Sequence, residues 1–470
     1  MTGLKRVLGL TDLVLFNVVA IVGLRWLLTA ARTGPSATVL WILALLLFFI
    51  PQGLAVIELT TRYPREGGIY AWAKAAFGPT HGYIAGWCYW VNNLIYYPSL
   101  LIFLATNAIY IGGVRWLGWE DNPTYIVLFS LSVLWLALGL NIVGLKVGRW
   151  VNNIGAFGHW VPVFIIIGAG IYALTATGSA TTFTASNIWP DLTRPGTISF
   201  WATMCFAFAG LELASVLSGE IKDPKRTIPR AIVIAGVLVT IVYILGTLGV
   251  QMVLHHDDVS ILSGLPQAIT QIFQDTTWIW LGAFAAFAIT IGGIGGISAW
   301  LGGTARIPYV CGLDNFLPAA LGRVHPKFGT PHISLATQGV LCSLFIIMAV
   351  AGSTIQEAYL VLIDATLIIY FIPYLYLFIA LVKLRPADAH SADEGIIAVP
   401  GGKTGLYLVA GAGFFSTAVS IGLSLIPAQD VASPLIFELK VVGGCLFFLV
   451  LGWVLYRYYS QQARQSLNPS

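Results

Sequence analysis

The sequence predicts an all-α integral membrane protein with twelve transmembrane helices, and three observations carry that prediction. The 470 residues are 57% hydrophobic and only 9% charged, where a soluble domain carries about 25% charged residues. Apolar stretches long enough to cross a bilayer, about 20 residues each, fall at 12–31, 37–60, 82–112, 123–143, 151–175, 197–218, 230–253, 277–304, 333–351, 358–382, 405–426 and 435–457. With the N-terminus placed inside, 19 of the 24 Lys and Arg residues fall in loops on one side, the bias that sets orientation in membranes.

Taken in order, the spans divide as five, five and two: residues 1–180 form a first five-helix repeat, 190–385 a second, and 400–460 a final pair. Pro98, Pro162 and Pro373 lie inside spans, where neighbouring helices can re-satisfy the freed backbone groups, so they do not split them. The first helix of each five carries a Gly-Leu-charge triplet, Gly23-Leu24-Arg25 and Gly210-Leu211-Glu212. The two helices run in opposite directions, as an inverted-topology repeat requires. Both termini are expected in the cytoplasm of a multi-pass inner-membrane protein. The N-terminal segment runs straight into the first span without a small-residue cleavage site, so no removable signal peptide is expected.

A formal charge at membrane depth is a functional-site hypothesis by default, and a glycine beside it marks a place where the helix can open. If helices one and six both unwind near the midplane, half-helix N-termini suit a carboxylate and half-helix carbonyls an ammonium group or cation. A zwitterionic amino acid presents both. Arg25 admits several readings: it holds a substrate carboxylate in a bidentate fork, pairs with Glu212 as a gate or a structural lock, or snorkels to the interface. Glu212 either takes up a proton, since burial disfavours its charged form, or accepts hydrogen bonds from half-helix N–H groups. Asn92, Asn93 and Tyr96 in span three either face a cavity or bond between helices. His159 is a proton relay or a satisfied packing histidine. Asp364 is a coupling or a structural acid, and Tyr370, Tyr374 and Tyr376 form a stripe that packs or gates. The Gly292–Gly296 run reads as close helix packing. Cys88, Cys205, Cys311, Cys342 and Cys445 show no metal-ligand spacing and read as small hydrophobes. Catalytic and nucleotide-binding signatures are missing, the net charge of +4 is scattered over short loops, and no cofactor, metal or nucleic-acid partner is expected.

The residues resemble the amino acid–polyamine–organocation superfamily. The segments that carry the resemblance are Phe206 to Glu212 with Ser218 to Ala231, Phe49-Ile-Pro-Gln-Gly53, Arg65 to Trp72, Gly303 to Pro318 and Pro400-Gly-Gly-Lys403. Within it the chain looks most like the bacterial glutamate/GABA antiporter group. The resemblance implies a LeuT-like five-plus-five inverted repeat plus two C-terminal helices, alternating access, and helices one and six unwound. It also implies that Gly23 and its neighbours meet the carboxylate end of the substrate and that carbonyls around Phe206 and Ala209 take the amine. Phe206 matches a gating aromatic, and Tyr370 and Tyr374 match tyrosines of helix ten. Two departures stand out: Ile21 to Trp26 replaces a Gly-Ser-Gly-like break, and Asn153 stands where some proton-coupled relatives have lysine.

The expected activity is secondary transport of an amino acid or close derivative, by exchange or proton coupling. A polyamine or cationic amino-acid carrier and a non-transporting nutrient sensor on the same scaffold are the alternatives. The candidate substrate-binding residues are Val22, Gly23, Leu24, Arg25, Asn93, Tyr96, Phe206, Ala209 and Gly210. The candidate gating and coupling residues are Trp26, Phe206, Glu212, Tyr370, Tyr374 and Asp364. The expected partners are the small-molecule substrate, a proton and the lipid bilayer.

Overall fold

A computed structural model describes residues 8–64, 67–120, 122–143, 145–191, 195–350, 354–385, 395–426 and 433–467. Several basic residues of the topology argument, among them Lys5, Arg6 and Arg65, lie outside these, as does the side chain of Asn153.

Among the described residues eleven helices are long and apolar enough to cross a membrane, and a pair bent by 42° brings the number of spans up to twelve. That pair is α1 (Leu10–Ile21) and α2 (Leu24–Ala31). The second span is α3 (Ala37–Ala44) and α4 (Ile50–Arg62), joined by a π-turn at Leu45–Phe49. A short helix α5 (Ile69–Phe77) leads into α6 (Pro79–Ile109), α7 (Pro123–Val143) and α8 (Leu145–Ala176). The sixth span is broken into α9 (Pro195–Phe208) and α10 (Leu213–Val216). Then follow α11 (Pro224–Val253), α12 (Gly264–Ile272), α13 (Trp280–Thr304), α14 (Arg306–Leu313), α15 (His332–Val350) and α16 (Ile355–Leu384). The final pair is α17 (Gly402–Leu423) and α18 (Pro434–Leu467).

Five spans open on proline, at Pro79, Pro123, Pro195, Pro224 and Pro434. Proline suits the first turn because its missing N–H has no helical partner there and its φ is already helical. Hydropathy alone starts α11 late, at 230: the polar turn from Pro224 to Arg230 precedes the apolar run. Three helices were not expected from the sequence, α5, α12 and α14. Each has eight or nine residues, about 12–14 Å at 1.5 Å per residue, so none can span.

The spans pack through small residues. A Cβ at Gly158 would stand 2.4 Å from the Gly292 nitrogen, and one at Gly155 2.7 Å from the Gly295 α-carbon. The α8 and α13 backbones therefore touch, as the glycine run suggested. At the end where α1 begins, Leu8 exchanges backbone hydrogen bonds with Glu220 and Lys222 (3.1 and 2.9 Å). Glu220 also accepts from Arg306 (2.7 and 2.6 Å). At the same end Glu58, fully buried, accepts from Arg62 (2.8 Å), Arg385 (2.9 Å) and the Val399 amide (2.7 Å). Asp314 accepts from Lys74 (2.6 Å) and from the Tyr70 hydroxyl. Burial first, then Cys311 and Asp314, hold the Tyr70 phenol well above its usual range, so it donates. These clusters tie one end of the bundle shut.

Candidate functional site

The break in the first span covers Val22 and Gly23, both extended in place of helical (ψ 101° and 111°). Glycine at position 23 makes room for Trp26: a Cβ there would lie 2.4 Å from Nε1 of that indole, which folds back over the break. In the sixth span Gly210 has φ +123°, a conformation that glycine adopts at no steric cost and L-residues with a Cβ avoid. The break sits at Ala209–Glu212, between α9 and α10.

The two breaks face one another, and Tyr243 of α11 joins them. Its hydroxyl lies 2.6 Å from the Ile21 carbonyl and 3.0 Å from the Ala207 carbonyl, and accepts the Gly23 N–H at 3.1 Å. Trp300 of α13 donates to the Ala20 carbonyl at 2.7 Å. Tyr374 of α16 accepts the Gly210 N–H at 3.0 Å. Nothing in the sequence flagged Tyr243, a single tyrosine in an otherwise aliphatic stretch. The first-turn amides of α2 at Leu24 and Arg25 have no partner within the helix, and Gly23 offers no side-chain cap.

Arg25 has no exposed surface, which removes the snorkelling reading. Its Nη1 donates to Ser99 Oγ at 3.0 Å, and its guanidinium carbon stands 4.2 Å from the Trp26 ring and 4.6 Å from that of Tyr96. Nε and Nη2 are buried without a hydrogen-bond partner. The pairing of Arg25 with Glu212, open from sequence, is not found. Glu212 has four other donors: Oε1 accepts from Tyr89 (2.9 Å) and Tyr370 (2.7 Å), and Oε2 from Tyr374 (2.5 Å) and Gln52 (3.1 Å). Nor do half-helix amides hold this carboxylate, because three phenols and an amide reach it first. Tyr89 and Gln52 were missed from sequence. Gln52 sits within the quoted Phe49–Gly53 segment, which was the available signal.

Between the breaks lies a small chamber of about 10 Å³, bounded by Ala20, Ile21 and Trp26, by Asn92, Asn93 and Tyr96, by Phe206, Ala207 and Ala209, and by Trp300 and Tyr370. That is room for about one water. Phe206 forms part of its wall, with ring centroids 5.5 Å from Trp26, 6.1 Å from Tyr96 and 5.3 Å from Tyr370. An adjoining cavity of about 20 Å³ is lined by Val22, Gly23, Leu24, Arg25, Tyr96 and His159, among others. Ala20, Tyr96 and Trp300 border both. Asn93 donates to the Tyr89 carbonyl (2.8 Å), but its Oδ1 is buried and unpartnered. His159 Nδ1 donates to the Gly155 carbonyl (2.8 Å), which orients the ring in the packed α8–α13 seam.

The candidate residues thus fall into neighbouring groups. Asn93, Tyr96, Trp26, Phe206, Ala209 and Tyr370 line the chamber, and Val22 to Arg25 its neighbour. Gly210, Glu212 and Tyr374 are joined through Tyr374 by hydrogen bonds. Asp364 departs from the expected set: it borders neither cavity and lies on a third, with Thr29 and Tyr359.

A family profile described as "Amino acid permease" matches residues 8–454. The chain belongs to the amino acid permease family. An uncharacterized transporter of Legionella pneumophila is 31% identical to this permease over 461 residues, covering 97% of this chain and 98% of the relative. A probable agmatine/putrescine antiporter of Lactococcus lactis is 24% identical, with 90% of this permease and 88% of the relative covered. The glutamate/gamma-aminobutyrate antiporter of the same organism is 23% identical, with 82% and 77% covered. Among solved structures, MhsT in complex with L-phenylalanine superposes on 90% of the permease and all of its own chain, with TM-score 0.65 at 15% identity. The permease is accordingly an all-helical, LeuT-fold, multi-pass membrane protein of an amino-acid-transporting family.

Proposed function

We propose that this permease is a secondary transporter that exchanges an amino acid, or a close derivative bearing a carboxylate, across the inner cell membrane by alternating access. Arg25 carries the reading: a fully buried guanidinium with Nε and Nη2 unpartnered, beside the unwound Val22–Gly23. A carboxylate supplies two acceptor oxygens for the planar fork, and the Leu24 and Arg25 amides add the positive end of α2. The amine then meets the carbonyl end of α9 around Phe206 and Ala209.

Phe206, ringed by Trp26, Tyr96 and Tyr370, closes the chamber on one side. Glu212 reaches its wall through Tyr370, which lines the chamber and donates to Oε1. The basic-loop bias supports a cytoplasmic position for the Glu58, Glu220 and Asp314 clusters, as an inner seal. Since the chamber holds about 10 Å³, substrate entry requires Phe206 and Trp26 to swing aside. The relatives described as antiporters support exchange. The agmatine/putrescine relative raises a dication as cargo, but a dication brings like charge to Arg25 and leaves its two nitrogens unsatisfied, so the carboxylate reading is favoured.

The test is counterflow in proteoliposomes with a panel of labelled amino acids, and with putrescine and agmatine alongside. Exchange of at least one amino acid, competed by others, is expected. No amino-acid exchange by folded protein, or exchange confined to amines lacking a carboxyl group, overturns the reading.

A further inference from the structure

Asp364 sits on the third turn of α16, half-buried at membrane depth. Among the described residues it makes no hydrogen bond and no ion pair. It faces a cavity of about 40 Å³ built where α2 ends, α9 begins and α17 ends. Thr29, Ser199, Thr203, Tyr359 and Ser424 bring hydroxyl groups to the same space. A buried acid beside so many hydroxyls would ordinarily draw their protons, and two of them explain why it does not. Thr29 donates to the Arg25 carbonyl (3.2 Å) and Ser424 to the Ser420 carbonyl (2.9 Å). Their protons are committed to their own helices, and their oxygens remain as acceptors. Tyr359 Oη is buried and makes no hydrogen bond of ordinary geometry, and its neighbour is the Arg25 guanidinium. The cavity therefore offers oxygen lone pairs and one carboxylate, and the group that satisfies it is a cation with donors and no acceptor.

We infer that this cavity is an outer subsite for a primary ammonium group on a short aliphatic stem, with Asp364 as its counter-ion. Three N–H bonds match the acceptor surplus, and Phe200, Leu360 and Ile363 on the remaining wall suit methylenes better than a bare metal ion. The place fits an approach route. Tyr359 stands between Asp364 and Arg25, with its ring 6.0 Å from the guanidinium carbon. Asp364 lies six residues before Tyr370 on α16, about 9 Å along the axis at 1.5 Å per residue. An amino acid held here by its ammonium end lies next to Tyr359, whose ring neighbours the Arg25 guanidinium.

The inference rests on the transport reading for its role on the route, not for binding itself, and the test separates the two. The probe is n-propylammonium chloride against the purified wild-type protein, read by thermal unfolding, with sodium chloride and tetramethylammonium chloride at equal ionic strength. Propylammonium is expected to raise the apparent Tm by about 2 °C or more at saturation, and the two controls to leave it unchanged. Asp364→Asn is expected to abolish the shift. Thr203→Val, which keeps the shape and removes one acceptor, is expected to weaken propylammonium binding about tenfold and serves if the first variant does not fold. Arg25→Met is expected to lose amino-acid exchange and keep the propylammonium shift. An equal shift with sodium assigns the cavity to an inorganic cation and overturns the inference. So does an equal shift with tetramethylammonium, or a shift retained by both variants. A wild type that binds propylammonium through Asp364 but exchanges no amino acid leaves the subsite standing and removes the transport reading.

Discussion

Replacing Arg25 with methionine separates recognition from packing. The substitution keeps an unbranched stem of similar reach against Trp26 and Tyr96 and deletes the charge. Three terms decide its effect on the folded protein. The hydrogen bond from Nη1 to Ser99 is lost, about 1.5–3 kcal/mol for a charged donor. The cation–π contacts with Trp26 and Tyr96 go too, about 2 kcal/mol at a desolvated site. Against these, a buried guanidinium with two unsatisfied nitrogens disappears, and its desolvation is worth several kcal/mol. The sum lies near zero, so the thermal unfolding temperature in detergent is expected to stay close to wild type. Substrate binding has no such offset. Removing one partner of a buried charge pair weakens binding by about 2–5 kcal/mol, about 30-fold at the lower bound. The assay pairs counterflow KM with thermal unfolding of the same preparation. Unchanged KM, or a loss of folding in proportion to the loss of transport, refutes the assignment of Arg25 to the substrate carboxylate.

Tyr243→Phe strips the hydroxyl that serves Ile21, Ala207 and Gly23; destabilisation of about 1–3 kcal/mol is expected, read as a lower unfolding temperature. Gly23→Ala places a Cβ 2.4 Å from Trp26 Nε1, so the indole must leave the break; transport should fall at least about tenfold while the protein remains folded. Glu212→Gln keeps the shape but replaces an acceptor of four hydrogen bonds with a half-donor; exchange is expected to slow more than substrate affinity falls, measured as kcat against KM in counterflow. The raised Tyr70 phenol keeps its proton in the folded protein above pH 10, where the unfolded chain releases it. The unfolded state then binds fewer protons, so stability falls as pH rises, by about 1.4 kcal/mol per pH unit for this group; Tyr70→Phe should flatten the unfolding-temperature profile between pH 10 and 11.

The positions of the two breaks were legible because glycine and charge inside an apolar run are local signals. Gly23 and Gly210 each open a helix within the segment that the triplet marked. The family resemblance added the facing arrangement. Helix ends were read less well: hydropathy weighs apolar side chains and passes over a polar first turn such as that of α11, or a helix as short as α5. Asp364 was singled out as costly from sequence, yet no sequence pattern places it with Thr29, Thr203 and Ser424, residues on three other helices.

Chain order alone determined the number of spans, the points where two of them unwind, and the presence of an arginine and a glutamate deep in the bilayer. The reason is that helix length, hydropathy and glycine act through neighbours within a few residues. Tertiary structure decided partnership. Gly23 meets Tyr243 across 220 positions and Glu212 meets Tyr374 across 162, so Arg25 and Glu212 stand apart. Which polar groups satisfy one another in a low-dielectric interior depends on which helices pack side by side. That is a property of the whole bundle and of no single segment.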